Sequence, residues 1–294
     1  MKRPGHILFP GMLILAAAAS TVATASVVLT DSAHHEVRFE HPPERIASLL
    51  PALTETVCEL HECARLVVVD RYSNWPDSVN RLPKAGGLED VEIEQIVSAR
   101  PDVVLLAHEP RVIERLHALH LVVFEFDAQA YADIARNVSL IAALLGVPER
   151  AAPLNRHIEG SVDEIAANAR SRLAGHAPLV YFEVDPGPYG AGPQSYIGEL
   201  LARLGVRNIL TADLGPFPKL NPEYVVRADP EVIFISPAEA PHLIQRPGWE
   251  HIRAVREGRF CAFPPEVRDP IVRPGPRVAE GFKALSECLL RVAP

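Results

Sequence analysis

The sequence predicts an α/β protein of two lobes, each a mostly parallel sheet with flanking helices, bridged by one long α-helix. Three observations carry this. Short apolar runs alternate with helical stretches on both sides of the middle of the chain, the texture of parallel sheets covered on both faces. One passage is written twice, as EIEQIVSARPDVVLLA (92–107) and PEYVVRADPEVIFIS (222–236), so that Glu94 falls on Glu223 and Pro101 on Pro230, a shift of 129 residues. Between the copies a single amphipathic stretch runs over 149–173, with no proline after Pro153.

The elements follow in order. Val37-Arg38-Phe39 alternates as a short strand and Pro42-Pro43 breaks it. Residues 45–50 form a buried strand, and Thr54-Glu55-Thr56 opens a helix with Pro51 near its start. LVVVD (66–70) is a core strand and RYSNWPDSVNRLPKAGG a loop. The first copy of the repeat supplies a helix and a strand; a helix over 111–119 and the strand LVVFEF (121–126) complete the alternation. A helix over 131–145 places Ile134, Val138, Ile141 and Leu145 on one stripe and stops at Gly146-Val147-Pro148. The long stretch then puts Leu154, Ile158, Val162, Ile165, Ala169 and Leu173 in line. At ~24 residues it would reach about 36 Å, long for a compact sheet domain and suited to a strut between lobes. Beyond Gly175 come the strand LVYFEV (179–184), the loop DPGPYGAGPQS, a helix within YIGELLARLGVRNI (196–209) stopped by Gly205, the second copy, a strand at 259–263 and a closing helix at 278–292. The expected boundaries are a leader at 1–25, an N-terminal lobe at 26–146, a bridge at 147–175 and a C-terminal lobe at 176–294.

Composition excludes some functions. The formal charge is −8, without a basic face for phosphate backbones, so nucleic acid is not a partner. The 28 prolines are scattered and read as turn and helix-start punctuation. Lys2 and Arg3, an apolar run over 12–19 and Ala23-Thr24-Ala25 make the pattern of a secretory leader cleaved near Ala25, and the run is too short to span a bilayer. An exported chain can oxidise its cysteines, Cys58, Cys63, Cys261 and Cys288, for which three pairings are open. Cys58 and Cys63 would not share the face of a continuous helix, but meet if the helix ends near His61. No C-x-x-C is present. His34, His35 and His41 flank a strand without a tetrahedral set, and no metal site is expected.

Four stretches together resemble one family. TDSAHHEVRFEHPPERIASLLPALTE, GGLEDVEIEQIVSARPDVVL, YIGELLARLGVRNI and NPEYVVRADPEVIFI are similar, in order and spacing, to class III periplasmic substrate-binding proteins of ABC importers, the receptors for cobalamin, ferric siderophores and haem. The likeness runs from about residue 28 to the C-terminus, with the cobalamin-binding branch nearest. It implies a monomeric periplasmic receptor with no cofactor of its own, carrying a cobalt- or iron-containing chelate in the cleft to an inner-membrane permease dimer. It also implies that Glu94 and Glu223 meet arginines of the permease, a two-point contact that fixes orientation; Glu89 and Glu92 are neighbouring confounders.

Loops after strands carry ligands in open α/β sheets. They nominate Tyr72 and Trp75, then His108, Glu109 and Arg111, then Tyr189, then Phe217 and Lys219, and in a late loop Arg268, Arg273 and Arg277. Flat macrocycles want aromatic walls and anionic chelates want arginine. The resemblance places cobalamin-branch aromatics near Tyr72, Trp75, Tyr189 and Phe217. It puts His108 where that branch carries tryptophan, a histidine suited to be an axial ligand in a bound cofactor. Trp249 is expected to pack. An enzyme is not expected: there is no G-x-S-x-G elbow, P-loop or G-x-G-x-x-G after a strand, and no catalytic residue is assigned. The alternatives are an exported sensor or metal-ion binder on the same fold without a transporter, and a secreted α/β enzyme.

Overall fold

The structure, a computed structural model, describes residues 26–87, 90–127 and 129–293. The expected leader and its cleavage point at Ala25 lie outside them, as does Glu89.

The N-terminal half opens with an antiparallel hairpin, β1 (Val27–Thr30) on β2 (Glu36–Phe39). Then follow β3 (Ile46–Ser48), α1 (Pro51–Glu59), β4 (Leu66–Val69), α2 (Ile93–Ala99), β5 (Val103–Ala107), α3 (Pro110–Ala118), β6 (Val123–Phe126) and α4 (Tyr131–Leu144). The sheet has the order β4-β3-β5-β6 and every pairing is parallel. Alternate residues face opposite cores. Ile46, Val103, Leu105 and Phe124 pack with Leu53 and Val57 of α1 and Val138 and Ile141 of α4. Ala47, Val68, Val104 and Leu106 pack on the other face with Ile96 of α2 and Leu116 of α3. Both faces are covered, which is why these strands read as unbroken apolar runs.

The strut is α5 (Ala151–Leu173), 23 residues, or about 35 Å. Its stripe divides between the lobes. Ala151 packs into the N-terminal core, Leu154 touches both cores, and Ile158, Val162, Ala166, Ala169 and Leu173 belong to the C-terminal one. The strut is therefore anchored along most of its length rather than spanning free. Gly160 lies within it facing open space.

The C-terminal half contains β7 (Leu179–Asp185), β8 (Tyr189–Gly190), α6 (Tyr196–Arg203), β9 (Arg207–Asn208), α7 (Pro222–Ala228), β10 (Val232–Ile235), α8 (Arg253–Arg256), β11 (Phe260–Ala262), α9 (Pro265–Val272) and α10 (Val278–Val292). Strands β11, β10, β7 and β9 pair in parallel, and β8 lies antiparallel on β7. Two expectations are corrected here. The helix expected within 196–209 does stop at Gly205, which turns the chain at φ 84° after Arg203, but the residues beyond it, Arg207–Asn208, are a strand. The expected late loop is largely the helix α9, started by Pro264-Pro265 and tolerating Pro270 within it.

The written repeat is a structural repeat. α2 and α7 are each seven residues long and end in left-handed residues 129 positions apart, Arg100 (φ 46°) and Asp229 (φ 47°). Each end is held by an arginine from elsewhere. Arg45 Nε donates to the Arg100 carbonyl (2.9 Å), and Arg253 Nη2 donates to the Asp229 carbonyl (2.9 Å). Cations at a helix C-terminus complement its dipole and satisfy orphan carbonyls.

All four cysteines are paired, Cys58 with Cys63 and Cys261 with Cys288. α1 does end before His61, which takes a positive φ of 63° and brings Cys63 back to Cys58. The second bond joins β11 to α10 across the C-terminal core. Closing a 27-residue separation removes unfolded-state entropy worth about 3.5 kcal/mol in the loop-closure description. Replacing Cys261 and Cys288 by alanine is expected to lower unfolding free energy by about 2–5 kcal/mol in urea titrations, and reductant should not destabilise that variant further by a similar amount.

Candidate functional site

The two sheets direct loops toward one another, and a cleft opens where the carboxyl ends of β3 and β4 meet α9. Leu50, Pro51 and Tyr72 line two adjoining hollows. One, of about 650 Å³, is closed by Leu49, Asp70, Arg71, Gly87 and Asp90. The other, of about 350 Å³, lies between Tyr72 and Pro51 of the first lobe and Arg268, Val272 and Arg273 of the second. Tyr72 stands between them, 61% exposed. An aromatic this open on a loop after a strand is accessible to whatever enters either hollow.

The Tyr72 loop is held from beneath by a buried polar chain. Asp70 accepts the backbone N–H groups of Tyr72 (2.7 Å) and Ser73 (3.1 Å) on Oδ1, and its Oδ2 accepts from the Ser73 hydroxyl. Ser73 Oγ also meets Thr54, which donates to Ser48 (2.8 Å), while Lys84 donates to the Ser73 carbonyl (2.6 Å). Burial pushes the Asp70 carboxyl above its ordinary range, and burial pulls Lys84 down. Arg71 pairs with Asp90, whose Oδ1 accepts from Gly87 N (3.0 Å).

Across the cleft, Arg273 has a different use from the ligand contact expected of it. Its guanidinium donates to Glu55 Oε1 (2.8 Å), Asn74 Oδ1 (2.8 Å), the Tyr72 carbonyl (3.0 Å) and Asp269 Oδ2 (2.6 Å), and the residue is 8% exposed. Asn74 Nδ2 closes the ring on Asp269 Oδ2 (2.9 Å). The network joins the lobes on one flank of the cleft and engages both terminal nitrogens of Arg273, whose side chain still lines the smaller hollow. Trp75 is likewise engaged: the Arg277 guanidinium lies 4.6 Å from its ring centroid. Glu55 is 1% exposed and its Oε2 has no partner. Burial raises its pKa, only partly offset by Arg273.

The other nominated residues form two further groups. Tyr189, expected on a loop, lies in the short strand β8 and is bridged to Lys219, with Lys219 Nζ 5.8 Å from the Tyr189 ring, and Phe217 is exposed two residues before Lys219. Arg268 donates to the Val184 carbonyl (2.8 Å) and still lines the smaller hollow. His108 and Arg111 line neither hollow. His108 Nδ1 donates to Glu125 Oε2 (2.7 Å), as an imidazole facing a carboxylate must, which leaves Nε2 outward. Arg111 is exposed in the first turn of α3. Glu94 and Glu223 are both exposed and both occupy the second position of their helices, α2 and α7. Trp249 is fully buried and packs edge-on against Tyr181.

Glu55, Asn74, Asp269 and the Asp70–Ser73–Thr54 chain escaped the sequence reading. One signal was available for Glu55: it sits inside a helix whose residues 52–57 are all buried, and a charge in such a run needs a partner.

A family model for periplasmic binding proteins matches residues 46–267. The chain belongs to the periplasmic binding protein family. This periplasmic binding protein is 26% identical over 273 residues to an uncharacterized ABC transporter substrate-binding lipoprotein of Bacillus subtilis, covering 90% of this chain and 85% of that one. It is 28% identical over 241 residues to a cobalamin-binding protein of Halobacterium salinarum, covering 79% of this chain and 64% of the relative. Among solved structures, a periplasmic heme binding protein from Pseudomonas aeruginosa superposes with a TM-score of 0.75 at 25% identity, covering 86% of this chain and 94% of that one.

Removing one member of a buried pair leaves an uncompensated charge. Arg273→Ala is expected to cost about 3–5 kcal/mol in chemical unfolding. A carboxyl raised by burial holds its proton more tightly folded than unfolded. Glu55 therefore favours the fold at acid pH, and this contribution is lost as pH rises from its ordinary value of 4.5 through its raised one. The pH dependence of Tm just above 4.5 should accordingly be flatter in Glu55→Gln.

Proposed function

We propose that this chain is an exported receptor that binds a metal chelate in the interlobe cleft and delivers it to the permease of an ABC importer. A cobalamin-like corrinoid comes first among ligands, with a ferric siderophore or haem next. One observation carries the reading: an exposed aromatic, Tyr72, on a loop locked by a buried polar chain, facing an arginine-bearing wall across two adjoining hollows. Adjacent hollows of about 650 and 350 Å³ are of the size that takes a ligand larger than a simple ion. Relatives whose names give cobalamin and haem as ligands support the same class. The lobes are taken as 26–146 and 176–294, with 147–175 as bridge and 1–25 as a removed leader.

In this reading Tyr72 is the aromatic wall, Arg268 and Lys219 offer charge, and Tyr189 and Phe217 complete the rim of the second lobe. Arg273 and Trp75 hold the lobes in place rather than touch the ligand. His108, turned by its hydrogen bond to Glu125, keeps Nε2 outward. Glu94 and Glu223 are the permease contacts: they are exposed, equivalent, and presented by helices clamped at their far ends. No helix among the described residues is long and apolar enough to cross a membrane.

Purified protein mixed separately with cobalamin, haem and ferric siderophores should retain one chromophore through desalting, and retention of none would sink the chelate reading. Tyr72→Ala should weaken that retention about tenfold, the scale of one lost aromatic contact. Glu94→Ala combined with Glu223→Ala should abolish uptake in cells while ligand retention stays at the parent level; uptake at the parent rate would remove the docking assignment.

A further inference from the structure

At the β6 edge of the first sheet, outside the lining of the Tyr72 hollows, the structure gathers Asp31, His35 and Glu125, which neither the ligand reading nor the docking reading uses; of their neighbours, His108 alone is also nominated for the ligand. The turn between β1 and β2 carries Asp31 and His35; Asp31 N donates to the His35 carbonyl (3.0 Å) and His35 N donates to Asp31 Oδ1 (2.8 Å). Ser32 N donates to the Glu125 carbonyl (3.0 Å) and Asp127 N to Ser32 Oγ (2.9 Å), which lays the turn against β6. One ligand atom each from Asp31, His35 and Glu125 then lies within 4.8 Å of the others.

Two features of this cluster are unexplained by protein contacts alone. The carboxylates are buried, Asp31 5% and Glu125 3% exposed, yet among the described residues no lysine or arginine approaches either within 4.0 Å; their only ion-pair neighbours are His35 and His108. Two buried carboxylates side by side are relieved either by a shared proton or by a positive group between them. The second feature is the placing of His35 Nδ1, 3.6 Å from Asp31 Oδ2 and 3.8 Å from Glu125 Oε1. Both distances are too long for a good hydrogen bond, and one ring N–H can serve only one acceptor. Two atoms bound at 2.0–2.1 Å to a tetrahedral ion stand about 3.3 Å apart, close to the spacing found here. The three atoms surround a gap rather than bond across it.

We propose that Asp31, His35 and Glu125 bind one divalent transition-metal ion of the zinc class. One imidazole and two carboxylates suit that class, whereas calcium and magnesium favour all-oxygen shells with more ligands. His108 acts from outside the coordination sphere: its Nδ1–H bond to Glu125 Oε2 (2.7 Å) aims Oε1 at the gap, as outer partners commonly aim ligating carboxylates. The ion staples the β1–β2 turn to the far edge of the sheet, joining residues distant in sequence. This site is independent of the chelate cleft, and neither reading depends on the other.

The test uses tag-free full-length protein, stripped with EDTA, dialysed, and titrated with zinc chloride at pH 7.5. One equivalent should bind in saturable fashion and raise Tm. His35→Ala and Glu125→Gln should each weaken binding at least tenfold, His108→Ala less, and His41→Ala not at all. Because the His35 ring is 65% exposed, His35→Ala should fold even if Glu125→Gln does not, and it alone decides the matter. Absence of saturable zinc binding, or binding at parental affinity in His35→Ala, overturns the proposal.

Discussion

A buried guanidinium has to be matched on every side, and Arg273 is matched from both lobes at once. Glu55, Asn74 and the Tyr72 carbonyl come from the first lobe and Asp269 from the second. The rest of the cleft follows from that meeting. The loop that presents Tyr72 is anchored at its carbonyl by Arg273 and at its N–H by Asp70. Trp75, three residues on, is covered by Arg277 from the same segment. Gly275 lies so close to α1 that an added Cβ would stand 3.2 Å from the Cα of Ala52. The second lobe thus approaches the first through backbone as well as charge.

The strut meets the same constraint from the other side. Most of its apolar stripe is buried in the second core, and only its first turn enters the first core. The strut joins the lobes through packing, and Arg273 joins them through its ion pairs and hydrogen bonds. Cleft walls held in both ways would lower the ordering cost of binding.

The fold was legible in the sequence because its signals are periodic and local. Apolar runs flagged every strand of the first sheet, and the duplicated passage marked α2 with β5 and α7 with β10. The pieces that escaped were those decided at a distance. Arg207–Asn208 is a strand only because β7 lies alongside, and α9 carries Pro270 within it while Arg268, at its middle, and Arg273, at its C-cap, make hydrogen bonds that the sequence does not announce. Exposed residues lining the candidate cleft, Tyr72 among them, could be nominated from the sequence. The role of Arg273 was not legible, since an arginine bound for a ligand and one bound for a buried glutamate have the same sequence appearance. The partner, Glu55, is 218 residues away.

The arginine clamps on α2 and α7 bear on how loading could be signalled. Each helix that carries a glutamate is tied at its far end, Arg45 on Arg100 and Arg253 on Asp229, and the bodies beneath are joined by the strut and by Arg273. The two carboxylates then behave as points on a fixed gauge. Their span does not report whether the cleft is full. In the proposed docking, a permease gripping both would read an empty and a loaded receptor as the same length, so discrimination between them would have to come through the cleft mouth, from the cargo itself.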